Sequence, residues 1–192
     1  QNVDRLVECV PNFSEGRNQA TVRALVLAVE SVRGVWLLDQ TMDRDHHRSV
    51  LSFVGEPDAV AEAAFRAFRV ATDLIDLRKH KGVHPRVGAT DVVPFVPLRG
   101  ATMLDCIHLA KRVGQRVGAE LEIPVFLYEQ AALHRDHAPL ESVRRGGLPG
   151  LAFRMASDPD WRPDFGPHQL HKTAGAVVIG ARPPLIAFNV NL

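Results

Sequence analysis

Only two cysteines occur in the 192 residues, Cys9 and Cys106. They lie far apart and lack the pair spacing of a metal site, so a reduced intracellular chain is expected. An excess of one charge is missing as well. The 23 Lys and Arg against 22 Asp and Glu create no bulk field for a nucleic acid or an anionic membrane surface. No run is long and apolar enough to span a bilayer and no signal peptide is visible, which makes the cytoplasm the expected compartment. The sequence also lacks an internal repeat, a low-complexity tract, a Walker-type phosphate loop, a dinucleotide fingerprint and a nucleophile elbow. What is left is a globular chain of ordinary apolar content, long enough for one sizeable domain or two lobes.

Histidine, by contrast, is plentiful. There are nine, among them His46 and His47, then His80, His84 and His108. Imidazoles titrate near neutral pH, so clusters of them raise a catalytic or a metal hypothesis. The densest stretch is Arg78 to Gly100, RKHKGVHPRVGATDVVPFVPLRG. Pro85 lacks a backbone donor and pushes His84 out of the helical region. Gly82 and Pro85 argue against a shared helix face for His80 and His84. The stretch reads as a shaped loop carrying proton-transfer and anion-binding groups.

Around it, hydrophobic periodicity lays out the elements. Arg5 to Val10 reads as a short strand, followed by the turn PNFSEGRN, whose Ser14 is placed to cap a helix. Val22, Leu25, Val26, Val29 and Val32 mark the apolar face of that helix, and Gly34 ends it. Val35 to Leu38 is a buried-type strand, DQTMDRDHHR a polar connector, and Ser49 to Val54 a further strand. A second helix starts at Pro57 with Val60, Ala64, Phe68, Ala71, Leu74 and Ile75 inward. The strand Asp91 to Leu98 carries Pro94 and Pro97, which predicts an edge or irregular position. This order, strand, helix, strand, strand, helix, strand, is the split βαβ arrangement of ferredoxin-like domains. The fold class is therefore α/β (α+β), with a ferredoxin-like βαββαβ core over about 5–99 and a mainly antiparallel sheet. An extension over about 100–192 adds a helix from Thr102 to Leu121, with Leu104, Ile107, Val113, Val117 and Leu121 inward, and a strand Ile123 to Leu127. Residues 129–147 read as helical early and basic late, and 146–167 as a long Gly- and Pro-rich excursion. Two β-rich runs, AVVIGA and LIAFNVNL, close the chain.

Four stretches carry candidate chemistry. His84 is the best general acid/base, because an imidazole near its free pKa both takes and gives a proton at neutral pH; a histidine bonded to a backbone carbonyl is the competing reading. Arg86, Lys81 and Arg78 can hold carboxylates, Arg with its bidentate fork, or form a solvated face. Asp43, Asp45, His46, His47 and Arg48 sit between two strands. Adjacent histidines on an extended segment point opposite ways, so a turn with one or two substrate-binding residues is favoured over a metal site. PNFSEG can cradle an anion at a helix start, against an ordinary capped turn. PDFGPHQLHKTAG at 163–175 can line a ligand groove, against a surface loop.

Together, LVECVPNFSEGRN at 6–18, LLD at 37–39, HHRSVLSFVG at 46–55, LIDLRKHKGVHPRVGATDVVPFVPLRG at 74–100, PVFLYE at 124–129, PDFGP at 163–167 and GARPPLIAFNVNL at 180–192 resemble the N-terminal subdomain of the glutamate formimidoyltransferase (formiminotransferase) family. The resemblance covers nearly the whole chain. It implies folate-dependent transfer of a formimino group from N-formimino-L-glutamate to N5 of tetrahydrofolate, as in histidine degradation, with tetrahydrofolate as co-substrate and no metal. The family's catalytic histidine precedes the proline of HxGxHP, here His84. Its folate-binding segment matches Gly166, Pro167, His168, Gln169, Leu170, His171, Lys172, Thr173, Ala174 and Gly175, which keeps its ends better than its middle. Asp39 of LLD joins the binding set, with Arg48 and Arg86 for substrate or folate carboxylates. The chain departs at 41–47: Thr41 stands where some members carry Asp, and His47 precedes Arg48 where members often read NRSV or NRTV. Family enzymes carry a second, C-terminal subdomain, which is expected to be absent from this chain, and the folate tunnel runs between the two. A homodimer or a separate partner carrying that subdomain is therefore expected, together with an exposed apolar face on the sheet or beside loop 80–90. A folate-binding or assembly module without transferase activity is the alternative, and a His/Asp metal hydrolase ranks last.

Overall fold

The computed structural model describes residues 4–80 and 85–185. Among them, seven strands form one sheet with five α-helices packed against it. The strands are β1 (Val7–Cys9), β2 (Asn12–Phe13), β3 (Val35–Asp43), β4 (Arg48–Gly55), β5 (Thr90–Pro97), β6 (Val125–Glu129) and β7 (Val177–Ala181). The helices are α1 (Gln19–Glu30), α2 (Pro57–Leu74), α3 (Met103–Glu120), α4 (Leu140–Arg144) and α5 (Gly147–Ser157). β1 and β2 form one interrupted line between β4 and β5, both antiparallel to it. β3 pairs with β4 antiparallel. On the other side, β7 lies parallel to both β5 and β6, so the sheet is mixed.

Alternation along the strands divides the core into two layers. Cys9 faces Phe53 of β4 and Phe95 of β5 across the ladder. These side chains are fully buried with Phe65 and Phe68 of α2, Leu25 and Val29 of α1, and Val113 and Val117 of α3. On the opposite face, Val92, Val178, Phe126 and Tyr128 pack with Val143 of α4, Leu151 and Met155 of α5, and Trp161. Each large side chain removed from water in this way contributes about 1.5–3 kcal/mol. Strands covered on both faces read as continuous apolar runs, and β7, VVIGA, is buried throughout.

Several sequence expectations are corrected. α1 is capped by Asn18, whose side chain accepts from the Ala20 and Thr21 N–H groups. Ser14 instead donates to the Gly88 carbonyl at 2.7 Å. β3 runs on to Asp43, so half of the supposed polar connector is strand. β5, expected at an edge or irregular because of its prolines, is central, and its ladder with β2 carries a register shift. Pro94 lies opposite the break between β1 and β2, where its carbonyl still accepts the Val10 N–H at 3.2 Å and only the return bond is missing, and Pro97 is the last strand residue. Leu74 and Leu104 are exposed. The first ends α2, and the second is in the first turn of α3 beside the Thr102–Asp105 capping box. Residues 129–147 form helix late rather than early, and the 146–167 excursion contains α5. Gly146 takes a left-handed φ of 74° at the α5 N-cap and Pro149 falls in the first turn, where a missing N–H costs nothing. The run LIAFNVNL lies mostly outside the described residues.

Candidate active site

One end of the sheet gathers the C-terminal end of β2, the β3–β4 turn and the N-terminal ends of β5 and β7. Loops carrying most of the polar motifs therefore converge there. Gly16 is what lets them close. A Cβ on it would overlap the carbonyl oxygen of Asp43 and the backbone nitrogen of Arg48, so only glycine brings the PNFSEG loop against the β3–β4 turn.

The Gly16 N–H donates to Nδ1 of His47 at 2.9 Å. His47 holds the left-handed backbone conformation, φ 50°. Glu15 Oε1 lies 3.4 Å from the same Nδ1 and accepts the N–H groups of Arg17 and Asn18 at 2.8 and 2.9 Å. The shorter contact decides the protonation: Nδ1 accepts from Gly16, so the ring is neutral and Glu15 beside it is not an ion-pair partner at neutral pH. Burial holds the His47 pKa below its ordinary value; Glu15 opposes this, and Arg17 and Arg86 add to it. The ring of His80 rests on that of His47, centroids 3.9 Å apart and tilted by 55°. Burial, then Arg86 and His47, push His80 down to about 4. Its buried Nε2 has no hydrogen-bond partner among the described residues.

Arg86 reaches across to the same turn, donating to the carbonyls of His47 at 3.0 Å and His46 at 2.9 Å. Asp91, 5% exposed, accepts the N–H groups of Val87 and Gly88 at 2.7 and 3.1 Å. Its other oxygen meets Arg144 of α4 at 2.6 Å. Arg48, Arg86, Arg144, Ser14 and Pro85 line a narrow crevice here. The Arg48 guanidinium makes no hydrogen bond or ion pair among the described residues.

The structure brings Arg48, Arg86 and the 171–175 end of the folate-type segment to this end of the sheet. His171 and Gly175 exchange backbone hydrogen bonds, and the Ala89 N–H donates to the Ala174 carbonyl. The Leu77 N–H donates to Thr173. Lys172 is exposed there. The segment's other half lies further along the same end: Gly166 packs on Ile123 and Gly118, Pro167 and Gln169 are exposed, Leu170 is half-buried, and His168 Nε2 is 2.6 Å from the Met155 carbonyl. Asp39 is not part of the cluster. It sits exposed in the middle of β3, opposite Ser52. Exposed Trp36 and Leu38 lie on the same strand, and Trp36 pairs with Val54. Lys81 and His84 lie outside the described residues. Sequence reasoning missed Gly16, Asp91 and Arg144. Asp91 accepts from N–H groups three and four residues before it, the reverse of an Asx-turn, which reaches forward, and nothing in the sequence pairs it with Arg144.

Among the described residues, no three His, Cys, Asp or Glu side chains converge in a way that would hold a metal ion. No helix among them is long and apolar enough to cross a membrane.

The formiminotransferase domain, N-terminal subdomain, matches residues 6–182. The chain belongs to that family. This formiminotransferase subdomain is 47% identical over 188 residues to the glutamate formimidoyltransferase of Streptococcus pyogenes serotype M1, covering 98% of this chain and 62% of the relative. It is 47% identical over 190 residues to the formimidoyltransferase-cyclodeaminase of Rattus norvegicus, covering 99% of this chain and 35% of the relative. A formiminotransferase cyclodeaminase-like protein of Arabidopsis thaliana is 27% identical over 187 residues, with 90% and 62% covered. The chain thus spans 62% of the length of the first of these curated relatives and 35% of the second.

Proposed function

We propose that this chain forms the catalytic half of a glutamate formimidoyltransferase, moving a formimino group from N-formimino-L-glutamate to N5 of tetrahydrofolate in histidine breakdown. The observation that carries the reading is the 47% identity to a glutamate formimidoyltransferase along 98% of the chain. The convergence of Arg48, Arg86 and residues 171–175 at one end of the sheet supports it. The order β3, β4, β1/β2, β5, with antiparallel neighbours throughout, favours a ferredoxin-like core over about 5–99, with 100–192 as its extension.

In this mechanism N5 of the folate attacks the amidine carbon. The N5–C bond forms, and the carbon becomes tetrahedral. The bond to the glutamate nitrogen then breaks as that nitrogen gains a proton. His84, assigned from its motif position, takes the proton from N5 and returns one to the leaving amine. Arg48 binds a substrate or folate carboxylate through its fork. Arg86, already committed to the His46 and His47 carbonyls, fixes the turn from which Arg48 projects. Residues 166–175 contribute to the folate side. Holding both reactants in register supplies much of the acceleration. The exposed Trp36 and Leu38 on β3 offer the apolar face on which the remaining part of such an enzyme, in the same chain or a partner, would pack.

The test is a turnover assay with tetrahydrofolate and N-formimino-L-glutamate, run on the full-length protein and on His84→Ala. The expected loss is about 10²–10⁴-fold, the usual worth of a positioned acid/base. Equal rates would remove His84 from that role, and a wild-type protein that binds reduced folate without turnover would remove the transferase reading.

A further inference from the structure

His47 occupies a backbone conformation that side chains other than Asn, Asp and His seldom tolerate, and an observed outlier of this kind points to a constraint imposed by its surroundings. Three contacts supply that constraint. The Gly16 N–H donates to its Nδ1 at 2.9 Å, its ring carries that of His80 at 3.9 Å, and its carbonyl receives Arg86 Nη1 at 3.0 Å. The side chain is only 12% exposed. His80 and Arg86 stand on either side of positions 81–84, so both flanks of that connection rest on one residue.

We propose that His47 is a positioning residue of this site: its neutral ring, locked as the Nε2–H tautomer by Gly16, sets the place of His80, and its backbone sets the place of Arg86. The assignment rests on the transferase reading for its effect on turnover, but not for the contact itself. A backbone N–H can only donate, so Nδ1 holds the lone pair and Nε2 the proton. The groups facing the ring are Glu15 and Arg17 before α1, His80 after α2 and Arg86 before β5. None of them offers Nδ1 a stronger partner than the Gly16 N–H while the ring is neutral.

Two substitutions separate positioning from folding. His47→Gly relieves the left-handed backbone and removes the ring. His47→Asn tolerates the backbone and keeps an acceptor for Gly16, but removes the support for His80. In the full-length protein labelled with ¹⁵N-histidine, long-range ¹H–¹⁵N spectra should show His47 protonated at Nε2 alone, and the His80 ring signals should move in both variants. In the turnover assay, kcat should fall at least about tenfold in both, approaching the hundredfold that a misplacement of about 1 Å costs, with KM changed much less. A proton on Nδ1 at neutral pH, or His80 signals indifferent to both variants, would overturn the proposal whatever the assay gives. Moved signals with an unchanged kcat would overturn the part that concerns turnover. A wild-type protein without turnover overturns the transferase reading and that part with it, and the spectra alone then decide the contact.

Discussion

Replacing Asp91 with alanine tests whether the turn that leads into β5 is held by a single buried carboxylate. The carboxylate accepts two backbone N–H groups and one guanidinium nitrogen, all within 3.1 Å. Hydrogen bonds to a charged group contribute about 1.5–3 kcal/mol each, and removing one member of a buried ion pair costs about 3–5 kcal/mol. These figures overlap and do not add. Arg144 is 23% exposed, so its guanidinium can turn to water and recover part of the loss. The N–H groups of Val87 and Gly88 belong to fully buried residues and cannot. The expected destabilisation is about 3 kcal/mol. For a chain of this length it lowers Tm by about 6–12 °C. Asp91→Asn keeps an acceptor for the two N–H groups and should cost about half as much. Arg144→Ala, which leaves both backbone bonds in place, should fall in the same range as Asp91→Asn. Urea unfolding followed by far-ultraviolet circular dichroism measures all three. An Asp91→Ala cost under about 1 kcal/mol, or an Arg144→Ala cost equal to it, would show that the backbone bonds contribute little and that the reasoning is wrong.

Gly16→Ala should destabilise by about 3 kcal/mol, the upper end of overpacking costs, because the new methyl meets backbone on both sides rather than a side chain that can move; a variant with the wild-type Tm would refute the close approach. His80 gives a pH prediction. The folded chain refuses the proton until about pH 4, whereas an ordinary histidine takes it near 6.5. Between those values the unfolded state holds more protons, so stability falls as pH drops through the window. His47 acts in the same direction. Asp76, held near 2 by Arg78, loses its contribution only below that window. His80→Gln should flatten the stability curve between pH 6.5 and 4, by a small amount because the ring is partly solvated; identical slopes in wild type and variant would contradict the assignment.

The helices were legible because their signals are local. Pro57 opens α2 as the sequence predicts, and Val60, Ala64, Phe68 and Ala71 face inward. The Thr102 start of α3 is marked by its own capping box. The place of β5 was not legible. Proline reads as an edge residue until one knows that Pro94 faces the gap between β1 and β2, and that gap is set by a strand more than 80 residues earlier in the chain. The candidate site divides in the same way. Arg48 and Arg86 stood out by residue type and motif. The contact of His47 with His80, the overlap avoided at Gly16 and the Asp91–Arg144 pair depend on loops meeting across the fold, which no window of sequence contains.

The interrupted line formed by β1 and β2 has a consequence for synthesis. Val7–Cys9 and Asn12–Phe13 are synthesised before the strands that flank them, yet they occupy the middle of the sheet, with β4 on one side and β5 on the other. Neither flank exists until Gly55 and Pro97 have been added. At roughly 5–20 residues per second, the first strands wait about 4–17 s for their second neighbour, with half of their peptide groups unpaired. This pair of short strands is therefore a natural client for whatever shields nascent strands until both neighbours have been made.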